Sequence, residues 1–227
     1  MVIGIIGLLM AMLLASLSRI RESARRTQDL SNLRQLSLAC TSYAADNDGV
    51  LPAGRAAGTA PNADDYTWTN YSRCWKLLVQ RMPTLAQNNS CSSVREGYAD
   101  ANEFGVVQPD YQWPDDVKLG WIYWGGRDDL NVVGVLKYRS LRRLTQRNTP
   151  GSQTLWTCLC WDSAGGPSPS ICPHVGTQYI QYAPGVVLAP PPDGLCVALA
   201  DGSASFVVWN DLIIIPQFNG FKLYYQP

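Results

Sequence analysis

Residues 2–52 read VIGIIGLLMAMLLASLSRIRESARRTQDLSNLRQLSLACTSYAADNDGVLP. From Met1 to Ser18 there is no charge, and Val2 to Ala15 carries no polar side chain. In a helix, eighteen residues reach about 27 Å, close to the roughly 30 Å of a bilayer's hydrocarbon core. A signal peptide would carry basic residues before the apolar run and a small-residue cleavage site after it. Here nothing basic precedes the run and arginines follow it, so residues 1–18 are expected to be a retained membrane segment. From Leu8 to Asp48 there is neither Gly nor Pro. Leu30, Leu33, Leu36, Cys40 and Tyr43 recur at three- and four-residue steps, the stripe of an amphipathic helix. Asp46-Asn47-Asp48-Gly49 then supplies turn formers, and Pro52 forbids resumption. The expectation is one helix over residues 1–48, apolar over 1–18 and amphipathic over 19–48.

The apolar half also bears a small-residue stripe: Gly4, Gly7, Ala11, Ala15 and Ser18. In lipid, apolar burial does not drive helices together, and small residues let them approach closely. The stripe is therefore the expected assembly face, against the alternative of a lone anchor.

These residues resemble the start of a type IV pilin-like protein, of the class with a prepilin-type cleavage and methylation segment related to the major pseudopilins of type II secretion. In that family a basic leader, a cleavage glycine and a registering glutamate precede the rest of the apolar helix. They would lie upstream of Met1, so the chain is expected to be truncated within that helix. The resemblance implies an α+β, pilin-like fold: the long N-terminal helix packed on a small antiparallel β-sheet head, residues 49–227, with long loops. It implies a structural subunit, not an enzyme, that polymerises with copies of itself into a pilus or pseudopilus. The inner membrane would hold it before assembly, and the pilus or secretion machinery would be its partner. The alternative is a single-pass anchored binding domain, recognising a glycan or envelope protein, that never polymerises.

Composition narrows the rest. The chain has 227 residues, 18 basic against 18 acidic, so no nucleic-acid partner is expected. The zero hides five arginines (Arg19, Arg21, Arg25, Arg26, Arg34) facing only Glu22 and Asp29 after the apolar run. By the positive-inside rule these arginines would hold the head in the cytoplasm. The seven cysteines and the resemblance argue instead for an extracytoplasmic head. Phosphate-binding, zincin and serine-hydrolase motifs are all missing from the sequence. Only Glu22, Glu96 and Glu103 are glutamates, and two of the three are expected on helix or loop surfaces.

Further along, Ser72 to Met82 predicts a helix, and Leu119 to Trp124 and Thr154 to Trp161 predict strands. Val135 to Gln146 predicts a short helix. Ala53 to Asp65, Ser163 to Gly176 and Ala183 to Gly194 read as loops. Leu195 to Ala200, Asp201-Gly202 and Ser203 to Trp209 predict a hairpin with a type I′ turn. The Asp-Gly resembles the C-terminal motif of the same pilin-like class, in which a histidine lies shortly upstream. His174, the sole histidine, lies 27 residues before Asp201.

Disulfides are the expected use of the cysteines. Cys158 and Cys160 share one side of a strand and should find different partners, Cys172 or Cys196, while Cys74 with Cys91 is a local option. A zinc set of Cys158, Cys160, Cys172 and His174 is the alternative, with a spacing unlike the usual paired patterns. No cofactor is expected beyond a possible calcium ion, for which Asp193 and Asp201 are the candidates. The eight tryptophans and eleven tyrosines read as core and interface packing rather than as a sugar-binding face.

Overall fold

Residues 2–45 form one unbroken helix, α1 (Val2–Ala45). The sequence asks for this, since no breaker occurs between Leu8 and Asp48. It stops three residues before the expected boundary. Gly49 donates its N–H to the Ala44 carbonyl at 2.8 Å, and Asn47 Nδ2 donates to the Tyr43 carbonyl at 2.7 Å. Asp48 (φ 53°) and Gly49 (φ 77°) take the left-handed conformations that terminate helices. Asp46, the first of the turn acids, pairs with Arg81 at 2.6 Å.

The computed structural model describes residues 2–54, 69–92, 116–126, 130–131, 137–138, 141–145, 154–159, 161–163, 170–172, 174, 180–182, 193–216 and 221–225. After α1 come β1 (Thr69–Tyr71), α2 (Ser72–Arg81), β2 (Asp116–Lys118), β3 (Trp121–Tyr123), β4 (Leu130–Asn131) and β5 (Lys137–Tyr138). The remainder is β6 (Thr154–Cys158), β7 (Trp161–Ser163), β8 (Ser170–Cys172), β9 (Ile180–Tyr182), β10 (Gly194–Leu199), β11 (Ala204–Val208), β12 (Ile213–Pro216) and β13 (Phe221–Tyr225). A four-stranded antiparallel sheet runs β11-β10-β6-β3, and a second, five-stranded, runs β12-β13-β7-β8-β9. The architecture is α+β.

The amphipathic half of α1 lies on the four-stranded sheet. Leu33, Leu36, Ala39, Cys40 and Ala44 are buried against it. Side chains alternate along a strand, so Trp156 and Cys158 on β6 share a face, as do Cys196 and Ala198 on β10. Trp156 donates its indole N–H to Cys40 Sγ on α1 at 3.4 Å, which identifies that face as the helix side. Tyr123 stacks on Trp156 with ring centroids 4.5 Å apart. Trp121, Trp124 and Trp156 are fully buried, and each indole N–H has an acceptor. Trp121, Tyr123, Trp124 and Trp156 are core, as expected of the aromatic residues, whereas Tyr43 is only partly buried.

The other end of α1 is different. Ile3, Ile5, Ile6, Met10, Leu17 and Ile20 are all exposed. Gly4 and Gly7 lie open, with nothing within 4 Å of an added Cβ. The side chains of Ala11, Ala15 and Ser18 lie outside the described residues. Among the described residues no helix is long and apolar enough to cross a membrane. The structure therefore establishes the helix but not a membrane-spanning segment at 1–18.

Several local expectations need correction. Within 135–146, Lys137–Tyr138 is a strand and Arg143 bridges Val50, so the predicted helix does not form there. The 163–176 stretch contains strand β8 in place of a continuous loop. Ala53 to Asp65 lies outside the described residues beyond residue 54. The hairpin forms, but with a different turn. Gly202 N donates to the Leu199 carbonyl at 3.1 Å, Leu199 N donates to the Ser203 carbonyl at 2.9 Å, and Gly202 has φ 84°. This is a three-residue Ala200-Asp201-Gly202 loop with one left-handed glycine, not a two-residue type I′ turn. Asp201 caps it, accepting from Ser203 N at 2.9 Å and Ser203 Oγ at 2.6 Å. An added Cβ at Gly202 meets nothing within 4 Å, so only backbone strain opposes it. Gly202→Ala is therefore expected to cost about 1–2 kcal/mol, read from the shift in the urea midpoint. A change below about 0.3 kcal/mol would disprove the left-handed turn.

Candidate functional site

Carried toward the N-terminus, the buried stripe of α1 becomes polar. One step before Leu33 and Leu36 stand Asp29, Arg26 and Glu22, spaced by three and four residues and so on the same face. Glu22 and Asp29 are buried, Asp29 completely. Glu22 is therefore not one of the surface glutamates. A charged group under a sheet needs partners, and the sheet supplies them.

His174 is at the centre. Its ring is 1% exposed, and it is one of two described non-glycine residues with positive φ, at 58°. Nδ1 lies 2.9 Å from Glu22 Oε1. Glu22 also accepts from Arg26 Nε at 2.9 Å. Arg26 in turn pairs with Asp193 and lies over the Phe206 ring, 4.1 Å from its centroid. On the other edge of the imidazole, Nε2 faces three sulfurs: Cys158 at 3.4 Å, Cys196 at 3.6 Å and Cys91 at 3.7 Å. Asp29 Oδ2 lies 3.6 Å from the same nitrogen and accepts from Cys91 Sγ at 3.0 Å. Ser92 fixes that carboxylate, donating its backbone N–H at 2.9 Å and its hydroxyl at 2.9 Å. Ligand atoms of Asp29, Cys91, Cys158 and His174 all fall within 4.8 Å of one another.

The folding of each element explains its contribution. Helix α1 delivers Glu22 and Asp29 from positions two turns apart, with Arg26 on the turn between them. The alternation of β6 and β10 delivers Cys158 and Cys196 to the face that α1 covers. Cys91 follows the Ser90–Gly120 bridge, where an added Cβ on Gly120 would come within 2.2 Å of Ser90 Cβ. His174 is held by a backbone bond, Asp193 N donating to its carbonyl at 3.1 Å.

The electrostatics follow from crowding. Burial, reinforced by the neighbouring Cys91 sulfur, pushes the Asp29 carboxyl up to about 9. Burial would also raise Glu22, but its bonds to His174 and Arg26 outweigh it and hold the carboxyl below its ordinary value. Burial would lower His174, yet Cys91, Cys196 and Glu22 together raise it. Burial and the flanking sulfurs raise Cys158. Cys196 falls to about 7, chiefly through its hydrogen bond with Cys158. A nucleophilic thiol–imidazole pair needs a path for substrate, and Cys91, Cys158 and Cys196 are each 0% exposed.

Sequence reasoning placed His174 and Cys158 in one candidate set, and they do meet. Their companions are Cys91 and Cys196; the side chains of Cys160 and Cys172 lie outside the described residues. Cys40, Cys74, Cys91, Cys158 and Cys196 take part in no disulfide, so neither a Cys74–Cys91 nor a Cys158–Cys196 bond is formed in this structure. Cys91 turns toward Asp29 and His174 instead. Among the described residues, the calcium candidates Asp193 and Asp201 join no set of three ligating side chains. Asp193 is occupied by Arg26, and Asp201 by the hairpin turn. The overlooked signal was the acidic continuation of the α1 stripe at Asp29 and Glu22.

No curated protein and no solved structure matches the chain. Residues 18–119, 102 of the 227, match the model of a family described as protein of unknown function (DUF1559), a span that holds Glu22, Arg26, Asp29 and Cys91 and stops short of Cys158, His174 and Cys196.

Proposed function

We propose that the protein is a pilin-like structural subunit that assembles with copies of itself through the N-terminal half of α1, from a bilayer into a pilus- or pseudopilus-like filament with the head outside the cytoplasm. One observation carries this reading. A single 44-residue helix is clamped to the head by its second half, while its first half presents Ile3, Ile5, Ile6, Met10 and Leu17 without cover. An apolar surface of that extent calls for lipid or protein around it. Lipid contacts exchanged for contacts between close-packed helices supply an assembly route in which Gly4 and Gly7 set the approach distance. The placement of the head rests on the resemblance and not on the cysteines, since three thiols gathered round one imidazole no longer argue for disulfides.

The experiment is electron microscopy of filaments sheared from cells expressing the full chain. Gly7→Leu and Ala11→Leu should each abolish filaments while the head keeps the wild-type melting temperature. Filaments of unchanged yield from both variants would refute assembly through this face. A wild-type chain that stays monomeric and membrane-bound would favour the anchored binding domain.

A further inference from the structure

The geometry points to a structural metal centre for a zinc-class cation, bound by the thiolates of Cys91, Cys158 and Cys196 and by Nε2 of His174. This goes beyond the filament reading and does not depend on it.

The distances make the case. In a tetrahedral site with metal–sulfur bonds of about 2.3 Å and metal–nitrogen bonds of about 2.0–2.1 Å, sulfur and nitrogen ligands stand about 3.5 Å apart. The three sulfurs lie 3.4, 3.6 and 3.7 Å from Nε2. Three thiols packed merely as apolar groups have no reason to surround one ring nitrogen at a common distance. The outer contacts match as well. A ligating histidine usually gives its other ring N–H to a carboxylate, which fixes the tautomer and aims the free nitrogen at the metal. Glu22 Oε1, 2.9 Å from Nδ1, is that carboxylate, and Arg26 secures it. Asp29, fastened by Ser92, sits beside Cys91 as an outer neighbour of the set.

The donor set selects the ion. Three thiolates and an imidazole suit zinc rather than calcium or magnesium, which prefer oxygen. All four ligand residues are 0–1% exposed, which is the closed form of a structural site, with no position open to substrate. Binding converts three thiols to thiolates and sends three protons to solvent, while Nδ1–H stays on Glu22. The ligands come from β6, β10, the segment after α2 and His174, and Glu22 ties them to α1. The metal would staple the helix to the sheet at the point where α1 passes from buried to exposed.

The test uses the full chain, isolated in detergent without added metal and with free thiols blocked during lysis. Native mass spectrometry and elemental analysis should find one zinc per chain. Chelator should lower the melting temperature and one equivalent of zinc should restore it. Cobalt in place of zinc should give the intense thiolate-to-cobalt absorption, a readout that needs no variant. Cys158→Ser and Cys196→Ser should lose stoichiometric metal, whereas Cys40→Ser and Cys74→Ser, buried thiols outside the set, should keep it. Glu22→Gln should weaken zinc binding about 10–100-fold. A wild-type protein that neither carries nor takes up zinc would overturn the assignment, as would a disulfide between any two of Cys91, Cys158 and Cys196.

Discussion

Replacing His174 with alanine should lower the unfolding free energy of the head by about 3–5 kcal/mol, even with chelator present throughout. The ring is completely buried, and Glu22, its partner at 2.9 Å, is only 11% exposed at the side chain, so solvent does little to screen the pair. Without the imidazole, Glu22 keeps Arg26 alone, itself 26% exposed and shared with Asp193. Three sulfurs and Asp29 would then line a hole with no cation in it. The carboxylate's own share of the pH effect has a definite direction. Glu22 lies below its unfolded value, so its contribution is present above the unfolded pKa and is lost as pH falls through the folded one. Urea unfolding followed by tryptophan fluorescence measures the loss. A double-mutant cycle with Glu22→Gln separates the pair from its surroundings. A His174→Ala cost below about 1 kcal/mol, or additive single effects, would show that the pair contributes nothing.

The second large effect is expected at Trp156, where truncation to alanine should cost about 3–5 kcal/mol. This indole sits between the sheet and α1, stacked on Tyr123 at 4.5 Å and donating to Cys40 Sγ at 3.4 Å. Its removal leaves a cavity under the helix that neither β6 nor α1 can close, because both are held by hydrogen bonds along their length. Trp156→Phe should cost well under half as much, since it retains a ring against Tyr123 and loses one weak hydrogen bond. Cys40→Ala should be milder still. Equal costs for Trp156→Ala and Trp156→Phe would place the effect in the hydrogen bond and not in packing.

Much of the scaffold was legible locally. The helix over Val2–Ala45 follows from the absence of Gly and Pro after Gly7 and from the stripe Leu33, Leu36, Cys40. Helix α2 and strands β3, β6 and β11 lie inside the runs that periodicity marked out, and β10 begins one residue before its run, at Gly194. The misses were local too. The Asp-Gly predicts a two-residue turn, but the dipeptide alone does not say how many residues the loop contains; the register Ala198↔Ala204 decides that. At 137–138 a strand pairing with β4 overrode an apparent helical pattern. Short runs have weak intrinsic preference, and tertiary partners settle them.

What the sequence determined by itself is the long helix, its division into an apolar and an amphipathic half, and the C-terminal hairpin. Each of these follows from a period of 3.6 or 2 over a few neighbouring residues, and such periods are properties of the local chain. What only the tertiary structure decided is the company that His174 keeps. Glu22 is 152 residues away, Cys91 83, Cys158 16 and Cys196 22. No spacing rule joins residues from a helix, a loop and two strands, because the sheet register and the docking of α1 fix their separation. The acidic end of the α1 stripe was visible all along, but a carboxylate on a helix face becomes a buried partner only once something covers that face.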